Sequence, residues 1–464
     1  RSWDGIPARP AGRAATPPAV DHAGDLGEVT HGFVVLVAES AVTWLRWAPL
    51  SIGAVLWMWL AGLDAGAAAA WILAPSADWR AIAPLVALTV IAVPVTLAGE
   101  ALLLRALGPA RPGAISAWGW GAVRVWIKTG VLQSAGNWLS GTLFWPVWLR
   151  AAGMRLGTGC EISTIIDVVP ELVTFGPDVF LADGIYLAGP VRRGRTITLA
   201  HTTLGARTFL GNHVVIPIGI TLPDDVLIGV STVADPSRIR SGSSWFGLPP
   251  FELPRREVVD VDRSLTHEPS AVRYWNRVFW EALRVALPVP PALVALWWSR
   301  AMGAGAASSD PWRMAFVVSP VVTFVAVAAL VVLVLALKWA LIWRVRPGQH
   351  PLWSCWCSRW DFLYVAWNRY ASPALGALEG TLLLPWYLRA MGMRIGRGVV
   401  LGPGFAQVVD PDMLTIDDGA TVHAMFQAHT FEDRVLKIDH VRIRRGATVG
   451  HGTVVLYGAD IGED

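Results

Sequence analysis

The sequence predicts a membrane protein in which α-helical hairpins alternate with left-handed parallel β-helix domains of the hexapeptide-repeat type. Three observations lead to this fold class: long apolar segments, an internal duplication with an offset of 239 residues, and a six-residue period of apolar side chains within each copy. Charged residues make up only 16% of the chain, whereas soluble domains usually contain about 25%. The 26 tryptophans agree with a membrane location, because tryptophan is enriched where a bilayer meets water.

Two apolar segments in each half of the chain are predicted to cross a membrane. They are residues 47–63 and 81–106 in the first half, and residues 286–302 and 314–345 in the second. A helix needs roughly 20 apolar residues to span the hydrocarbon core. A helix before each pair, and a tryptophan-rich elbow after it, are predicted to lie in the membrane interface.

Basic residues are distributed unevenly on the two sides of these segments. The short loops within the pairs hold Arg80, Arg300 and Arg313. The opposite side carries Arg46, Arg105, Arg111, Arg124, Lys128, Arg284, Arg344 and Arg346. Cytoplasmic flanks of membrane helices are enriched in Lys and Arg. We therefore expect a multi-pass protein of an inner (plasma) membrane with its β-helix domains in the cytoplasm. A net charge of +3 does not suggest a nucleic-acid partner.

The duplication is clearest where each β-helix begins. Residues 141–157 (GTLFWPVWLRAAGMRLG) recur as residues 380–396 (GTLLLPWYLRAMGMRIG). A trace of a further copy is present, because residues 2–7 (SWDGIP) resemble residues 244–249 (SWFGLP). We expect the chain to begin in the tail of one copy and to stop inside another, as a piece of a longer protein.

A six-residue period of apolar side chains predicts the β-helix. Its members are Leu204, Leu210, Ile216, Leu222 and Ile228 in one copy, and Ile443, Val449, Val455 and Ile461 in the next. Three hexapeptides form one turn of a triangular coil, with the apolar residue pointing inward on every rung. The glycine that often follows, as in Leu210-Gly211, suits a tight corner.

The predicted domains follow from these patterns. In chain order they are the tail of a preceding β-helix with a linker (1–30), an interfacial helix with the first hairpin (31–110), interfacial elbow helices (111–150), the first β-helix (151–257), an interfacial helix with the second hairpin (258–347), elbow helices (348–389) and a truncated second β-helix (390–464).

Both β-helices are interrupted at the same place, at about residues 188–197 and 428–440. Within nine residues, His429 to Lys437, the second interruption has an imidazole, two carboxylates and two cations. His429 is the candidate general base, because a neutral imidazole accepts a proton near physiological pH. Glu432 or Asp433 is predicted to orient it, as a carboxylate does in a catalytic triad. An open alternative is a solvated loop held together by its own ion pairs.

Three more residues of this interruption are candidates for binding substrate. Arg434 and Lys437 can hold a phosphate or a carboxylate, and Gln427 precedes the histidine by two residues. The first interruption has Arg192, Arg193 and Arg195 instead, which suit an acidic carrier protein, lipid phosphates or simply solvent.

Other reactive side chains are interpreted as structural. His201 and His440 occupy matched positions in the two copies, which favours a role in the coil corner. The chain has three cysteines, of which Cys355 and Cys357 lie close together. They have no ligand-spaced Cys or His nearby, so packing residues are expected and a metal site is not.

The motif order resembles the C-terminal membrane region of poly-lysine-synthetase-like nonribosomal peptide synthetases. The resemblance is carried by the Gly-Thr, Pro, Leu-Arg, Gly, Arg, Gly pattern that enters each coil, by residues 427–434 (QAHTFEDR), and by residues 244–249 followed by 253–256 (LPRR). It implies a membrane-bound acyltransferase that forms amide bonds from aminoacyl thioesters, to make an amino-acid homopolymer or a short isopeptide.

The resemblance also implies partners. The substrate is tethered to phosphopantetheine on a carrier domain of the same synthetase, no cofactor is bound directly, and neighbouring β-helix copies assemble as a pseudo-trimer or an oligomer. The alternative function is non-catalytic: a membrane scaffold for the synthetase, or a conduit that exports its product.

Overall fold

The computed structural model describes residues 3–4, 9–10, 16, 18–254, 261–432 and 434–463. The chain divides into two compact units: residues 1–51 with 92–257, and residues 52–91 with 258–464. Each unit contains one coil of short parallel strands, and residues 52–91, which precede the first coil in the chain, belong to the second unit.

The helices occur before and between the coils. In chain order they are α1 (Glu28–Ala61), α2 (Ala65–Leu73), α3 (Trp79–Ala106), α4 (Trp120–Leu139), α5 (Phe144–Ala152), α6 (Arg263–Thr266), α7 (Ala271–Leu283), α8 (Val289–Ser308), α9 (Pro311–Arg313), α10 (Ser319–Leu341), α11 (Cys355–Tyr370), α12 (Ser372–Gly376) and α13 (Leu383–Ala390). A π-helical turn, Met314–Val318, joins α9 to α10.

Four helical segments of the described chain are long and apolar enough to cross a membrane. They are Glu28–Ala61, Trp79–Ala106, Arg263–Ser308 and Pro311–Leu341. We predicted an interfacial helix followed by a separate span that begins at residue 47. The structure instead has one continuous 34-residue helix there. Pro49 lies inside it, and a proline removes only one backbone hydrogen bond while the apolar stretch continues on both sides. The second copy does break, at a 3₁₀ turn over Arg284–Ala286.

The first coil is built from strands of two to four residues. They are β4 (Arg155–Leu156), β5 (Glu161–Ile162), β6 (Ile165–Ile166), β7 (Val173–Phe175), β8 (Phe180–Leu181), β9 (Ile185–Leu187), β10 (Val191–Arg193), β11 (Thr196–Leu199), β12 (Thr202–Leu204), β13 (Phe209–Leu210), β14 (Val215–Ile216), β15 (Thr221–Leu222), β16 (Leu227–Ile228), β17 (Ser244–Phe246) and β18 (Phe251–Glu252). Before it come a short antiparallel pair, β1 (Trp3–Asp4) with β2 (Arg9–Pro10), and β3 (Gly113–Ser116).

The second coil repeats this pattern over fewer rungs. Its strands are β20 (Arg394–Ile395), β21 (Val400–Leu401), β22 (Leu414–Ile416), β23 (Thr421–Val422), β24 (Met425–Gln427), β25 (His429–Glu432), β26 (Val435–Ile438), β27 (Val441–Ile443), β28 (Thr448–Val449), β29 (Val454–Leu456) and β30 (Asp460–Ile461), and β19 (Gly348–Pro351) precedes them.

The strand pairing defines a three-faced parallel coil in each unit. In the first coil the face orders are β15-β12-β7-β4, β17-β16-β13-β8-β5 and β14-β9-β6, and in the second β20-β22-β27-β30, β21-β23-β28 and β24-β29, all with parallel neighbours. Each strand therefore pairs with the strand one turn along the coil, as a β-helix requires.

The six-residue period points into the coil as predicted. Leu210 and Ile216 are 0% and 1% exposed, and Val449 is 5% exposed. Gly205 shows why small residues follow the apolar ones, because a Cβ atom there would overlap the backbone of Pro223 on the next rung. The prediction that the apolar residues of the six-residue period point inward is confirmed in both coils.

Each interruption of the coil is a β-hairpin that pairs with a third strand. In the first copy β10 and β11 are antiparallel, and β3 pairs with β11. In the second copy β25 and β26 are antiparallel, and β19 pairs with β26. The third strand comes directly before the elbow helix, α4 or α11, so the hairpin and the elbow helix are held together.

A buried ion pair joins a helix to the base of each coil. Just before β7 and β22 the chain forms a 3₁₀ turn, Pro170–Leu172 or Pro411–Met413. Lys128 of α4 pairs with Glu171 in the first turn. In the second turn Asp412 Oδ2 lies 3.0 Å from the Nζ atom of Lys338, a fully buried residue of α10.

Shortening an apolar side chain of the six-residue period is expected to destabilise the protein. Leu210→Ala should lower the free energy of unfolding by about 2–5 kcal/mol, because it removes buried methyl groups and leaves a cavity. Denaturant titration in detergent measures this change. Thr221→Ala, at an exposed position of the same coil, is the matched control and should change the free energy by less than about 0.5 kcal/mol. Equal effects of the two substitutions would contradict the inward direction of Leu210.

Candidate active site

The candidate site lies beside the hairpin of the second copy. Strand β26 is the central strand of its three-stranded sheet, and all four of its residues are buried. Strand β25 is only half-buried. The hairpin turn passes through Arg434, whose φ is 63°. The buried strand β26 therefore supports β25, whose side chains remain partly accessible.

His429 is the first residue of β25, and it forms an acid–base pair with Asp410. Its Nδ1 atom lies 2.9 Å from Asp410 Oδ2. The histidine side chain is 18% exposed and the aspartate side chain is 0% exposed. An ionised carboxylate only accepts hydrogen bonds, so Nδ1–H donates to it and Nε2 of the neutral ring carries the free lone pair. Among the described residues, none is hydrogen-bonded to that Nε2.

Asp410 is held at the entrance to the 3₁₀ turn in a conformation that few residues adopt. Its φ is 56°, in the left-handed region, which aspartate tolerates better than most residues. Its Oδ1 atom accepts hydrogen bonds from Trp360 Nε1 at 2.8 Å and from the Tyr364 hydroxyl at 3.4 Å. Its backbone N–H donates to the Tyr364 oxygen at 2.8 Å. Burial raises the pKa of Tyr364 well above its usual value, so this hydroxyl remains a donor.

Helix α11 supplies both of these donors. Trp360 and Tyr364 are four residues apart and therefore lie on the same face of the helix. The Trp360 ring also meets the His429 ring edge to face, with centroids 5.2 Å apart and an interplanar angle of 88°. The imidazole is thus fixed by a carboxylate at one nitrogen and by an aromatic ring at its side.

A second histidine lies close to the pair. His350 of β19 stacks on Trp356 with ring centroids 3.9 Å apart. Burial lowers the pKa of His350, and the charge of Asp410 opposes that shift. His350 therefore favours the neutral form, and the imidazole that is bonded to the carboxylate is that of His429.

Glu432, one of the two carboxylates predicted to orient His429, is paired with a different residue. Glu432 Oε2 instead lies 2.5 Å from Lys437 Nζ. His429 and Glu432 are three residues apart on one strand, so their side chains point to opposite faces. The other predicted orienting residue, Asp433, lies outside the described residues. Asp410 is the carboxylate that meets the imidazole.

The predicted substrate-binding residues differ in how deeply they are buried. Lys437 is 5% exposed and Arg434 is 4% exposed, so both cations lie within the hairpin rather than on its surface. Gln427 ends β24 and is half-buried. In the described part of the chain no hydrogen bond joins Gln427 to His429 or Asp410.

Three residues of the site were missed by sequence reasoning: Asp410, Trp360 and Tyr364. Trp360 was noted only as part of a tryptophan-rich elbow. One signal was available, because the second copy reads Val-Val-Asp-Pro at residues 408–411 where the first reads Val-Val-Pro at residues 168–170. An extra aspartate before the proline marks a difference between otherwise matching copies.

The remaining candidates are not part of this site. His201 and His440 are exposed. The described residues contain no group of three His, Cys, Asp or Glu side chains able to hold a metal. A groove of about 710 Å³ on another part of the second coil is lined by Arg389, Arg394, Arg442, Arg445, Asp417 and Asp418, among others, and does not include His429.

Comparison with known proteins gives a relative among curated sequences. The chain is 32% identical over 346 residues to the delta-poly-L-ornithine synthetase of Acinetobacter baumannii (strain AB307-0294), a match covering 73% of this chain and 26% of that protein. The chain is similar to a poly-amino-acid synthetase. It spans about a quarter of the length of this relative. No protein-family model matches the chain.

Solved structures similar to the chain are acetyltransferases. A maltose O-acetyltransferase from Clostridium difficile 630 aligns with 35% of this chain and 97% of its own, at 16% identity and a TM-score of 0.25. A galactoside acetyltransferase in complex with coenzyme A aligns with 37% and 96%, at 15% identity and a TM-score of 0.24. Because both TM-scores are low, the β-helix assignment rests on the strand pairing of the chain itself.

The buried thiol of Cys357 is expected to be unreactive. Cys357 is buried, and burial raises the pKa of its thiol to about 12. Only a thiolate reacts readily with alkylating agents. In a Cys160→Ser/Cys355→Ser protein, iodoacetamide at pH 8 should therefore leave Cys357 unmodified by mass spectrometry, and the denatured protein should be modified fully. Rapid modification of the folded protein would contradict the packing role.

Proposed function

We propose that the chain is the membrane-bound, acyltransferase-like terminal region of a nonribosomal peptide synthetase, and that it forms amide bonds from carrier-bound aminoacyl thioesters. The observation that carries the proposal is the pair of His429 and Asp410, with a free Nε2 on a rigid platform. The likeness to a delta-poly-L-ornithine synthetase supports amino-acid polymerisation as the reaction class. The product is an amino-acid homopolymer or a short isopeptide.

The proposed reaction needs one base and no bound cofactor. The amine nitrogen of the acceptor attacks the thioester carbonyl carbon, and its proton passes to Nε2 of His429. The carbon–sulfur bond then breaks, and the leaving sulfur takes the proton from the imidazolium. Asp410 stabilises the imidazolium that forms between these steps and holds the ring in the required tautomer. A base placed in this way typically contributes about 10²–10⁴-fold.

Lys437, Arg434 and Gln427 are the proposed substrate-binding residues. The donor is an aminoacyl group on the phosphopantetheine arm of a carrier domain in the same synthetase, and its phosphate is an anion that a cation of the hairpin can hold. Lys437 is already paired with Glu432. Binding of the phosphate then competes with Glu432 for the ammonium group.

The proposed setting is a bacterial inner membrane with the coils in the cytoplasm. Four segments able to cross a membrane would place both coils on one side, and the arginine-rich flanks support the cytoplasmic side. We further propose that the coils are left-handed and that three copies in the full-length protein form a pseudo-trimer around the site.

Loss of the imidazole is expected to abolish most of the activity. In the full-length synthetase, His429→Ala and Asp410→Asn should each lower kcat by about 10²–10⁴-fold, because the first removes the base and the second removes the carboxylate that orients it. Lys437→Ala should raise KM more than it lowers kcat. The assay is amide formation from a carrier-bound aminoacyl thioester.

His440→Ala is the matched control for these variants. It removes an exposed imidazole from the same coil, and its turnover should stay within about twofold of wild type. Wild-type turnover by a folded His429→Ala protein would remove the base from the mechanism. A membrane scaffold or an export conduit would then be the better account of the chain.

The topology can be tested with single cysteines in a protein freed of its three native ones. A cysteine in place of Ser309, between the second pair of spans, should react with a membrane-impermeant maleimide added from the periplasmic side. A cysteine in place of the exposed His451 on the coil should react only from the cytoplasmic side. The reverse labelling pattern would overturn the proposed orientation.

A further inference from the structure

The strand registers make the two copies comparable residue by residue around the site. Ile197 of β11 pairs with Ile115 of β3, and Leu436 of β26 pairs with His350 of β19. Ile197 and Leu436 are 239 residues apart, as the duplication requires. Ile115 is therefore the first-copy counterpart of His350.

The same registers identify the counterpart of His429. Val191 pairs with Thr198, and Thr430 pairs with Lys437. Since Thr198 and Lys437 are equivalent, Val191 matches Thr430. The residue before each of them is Pro190 in the first copy and His429 in the second, so a proline occupies the place of the candidate base.

The elbow helices and 3₁₀ turns supply the remaining matches. Helices α4 and α11 begin at equivalent positions, after the N-caps Gly119 and Ser354. Counting from these caps, Val125 replaces Trp360 and Thr129 replaces Tyr364. The residue before the 3₁₀ turn is Val169 where the second copy has Asp410.

In the first copy three of these positions, Val125, Val169 and Ile115, belong to an apolar cluster. Val125, Val169, Ile197 and Leu199 are buried together, with Ile115 packed against them. Thr129 makes a hydrogen bond within its own helix, to the Trp126 carbonyl at 3.1 Å. A carboxylate would find no donor in such a cluster, and burying an unpaired charge is strongly unfavourable. The space used for acid–base chemistry in one copy is therefore filled with hydrocarbon in the other.

We infer that acyl-transfer chemistry in these two copies is confined to the second coil, and that the first coil is a sealed, non-catalytic counterpart. This inference rests on the proposed function. The matched positions change together: the aspartate, its two donors, the imidazole and the neighbouring His350 are all present in one copy and all absent in the other. A set that changes as a whole is the signature of one functional unit, because each polar member needs the others to be buried without penalty.

The test compares imidazoles of the two coils in the full-length synthetase. The first coil contains two histidines, His201 and His213, and both are exposed. The double variant His201→Ala/His213→Ala should keep its turnover within about twofold of wild type, while His429→Ala loses about 10²–10⁴-fold. Thermal unfolding in detergent verifies that both proteins are folded.

The possible outcomes separate the two claims. If the folded double variant loses more than tenfold of its turnover and His429→Ala is also inactive, both coils contribute to the activity. In that case the proposed function stands and only this inference is wrong. If His429→Ala is active, the proposed function fails and the inference fails with it. If the double variant keeps its turnover and His429→Ala is inactive, the proposed function and this inference are both supported.

Discussion

The site depends on one constraint: the carboxylate of Asp410 is fully buried, so every hydrogen bond it loses costs free energy. Trp360, Tyr364 and His429 supply its donors. They come from an elbow helix and from a hairpin that are distant in sequence, so the carboxylate fixes the position of both elements. The same bond sets the tautomer of the His429 ring, so the contact that stabilises the fold here also leaves Nε2 of the proposed base unprotonated.

The β-helix is the rigid part of this arrangement. Its interior is made by single apolar residues that repeat every six positions, and Leu210 and Ile216 are as buried as any residue of a globular core. A coil of this kind tolerates an insertion between two rungs, because the rungs on either side still stack. The hairpin is such an insertion, and it presents new side chains without disturbing the hexads.

The sequence was sufficient for the features that depend on local periodicity. The apolar segments, the duplication and the hexads were predicted, and so was the place of the hairpins. His429 was chosen because of its chemistry, and its partner was sought among near neighbours. That partner lies 19 residues away and Trp360 lies 50 residues from Asp410, contacts that no local pattern encodes. Glu432 and Asp433 were chosen by proximity along the chain, although strand alternation turns Glu432 to the other face of the hairpin. The continuity of α1 through Pro49 was also not readable, because a proline in a helix marks a break only when the packing agrees.

The ion pair between Lys338 and Asp412 has a consequence for mechanical coupling. Lys338 belongs to α10, a helix able to cross a membrane, and Asp412 is two residues from Asp410 in the same turn. One ion pair therefore joins a helix able to cross a membrane to the turn that begins next to Asp410. In the first copy the equivalent acid, Glu171, is tied to the elbow helix α4 through Lys128. Lys128 Nζ also donates to the Leu104 carbonyl of α3 at 3.0 Å, so each copy connects its 3₁₀ turn to a helix able to cross a membrane, the second copy directly and the first through the elbow helix.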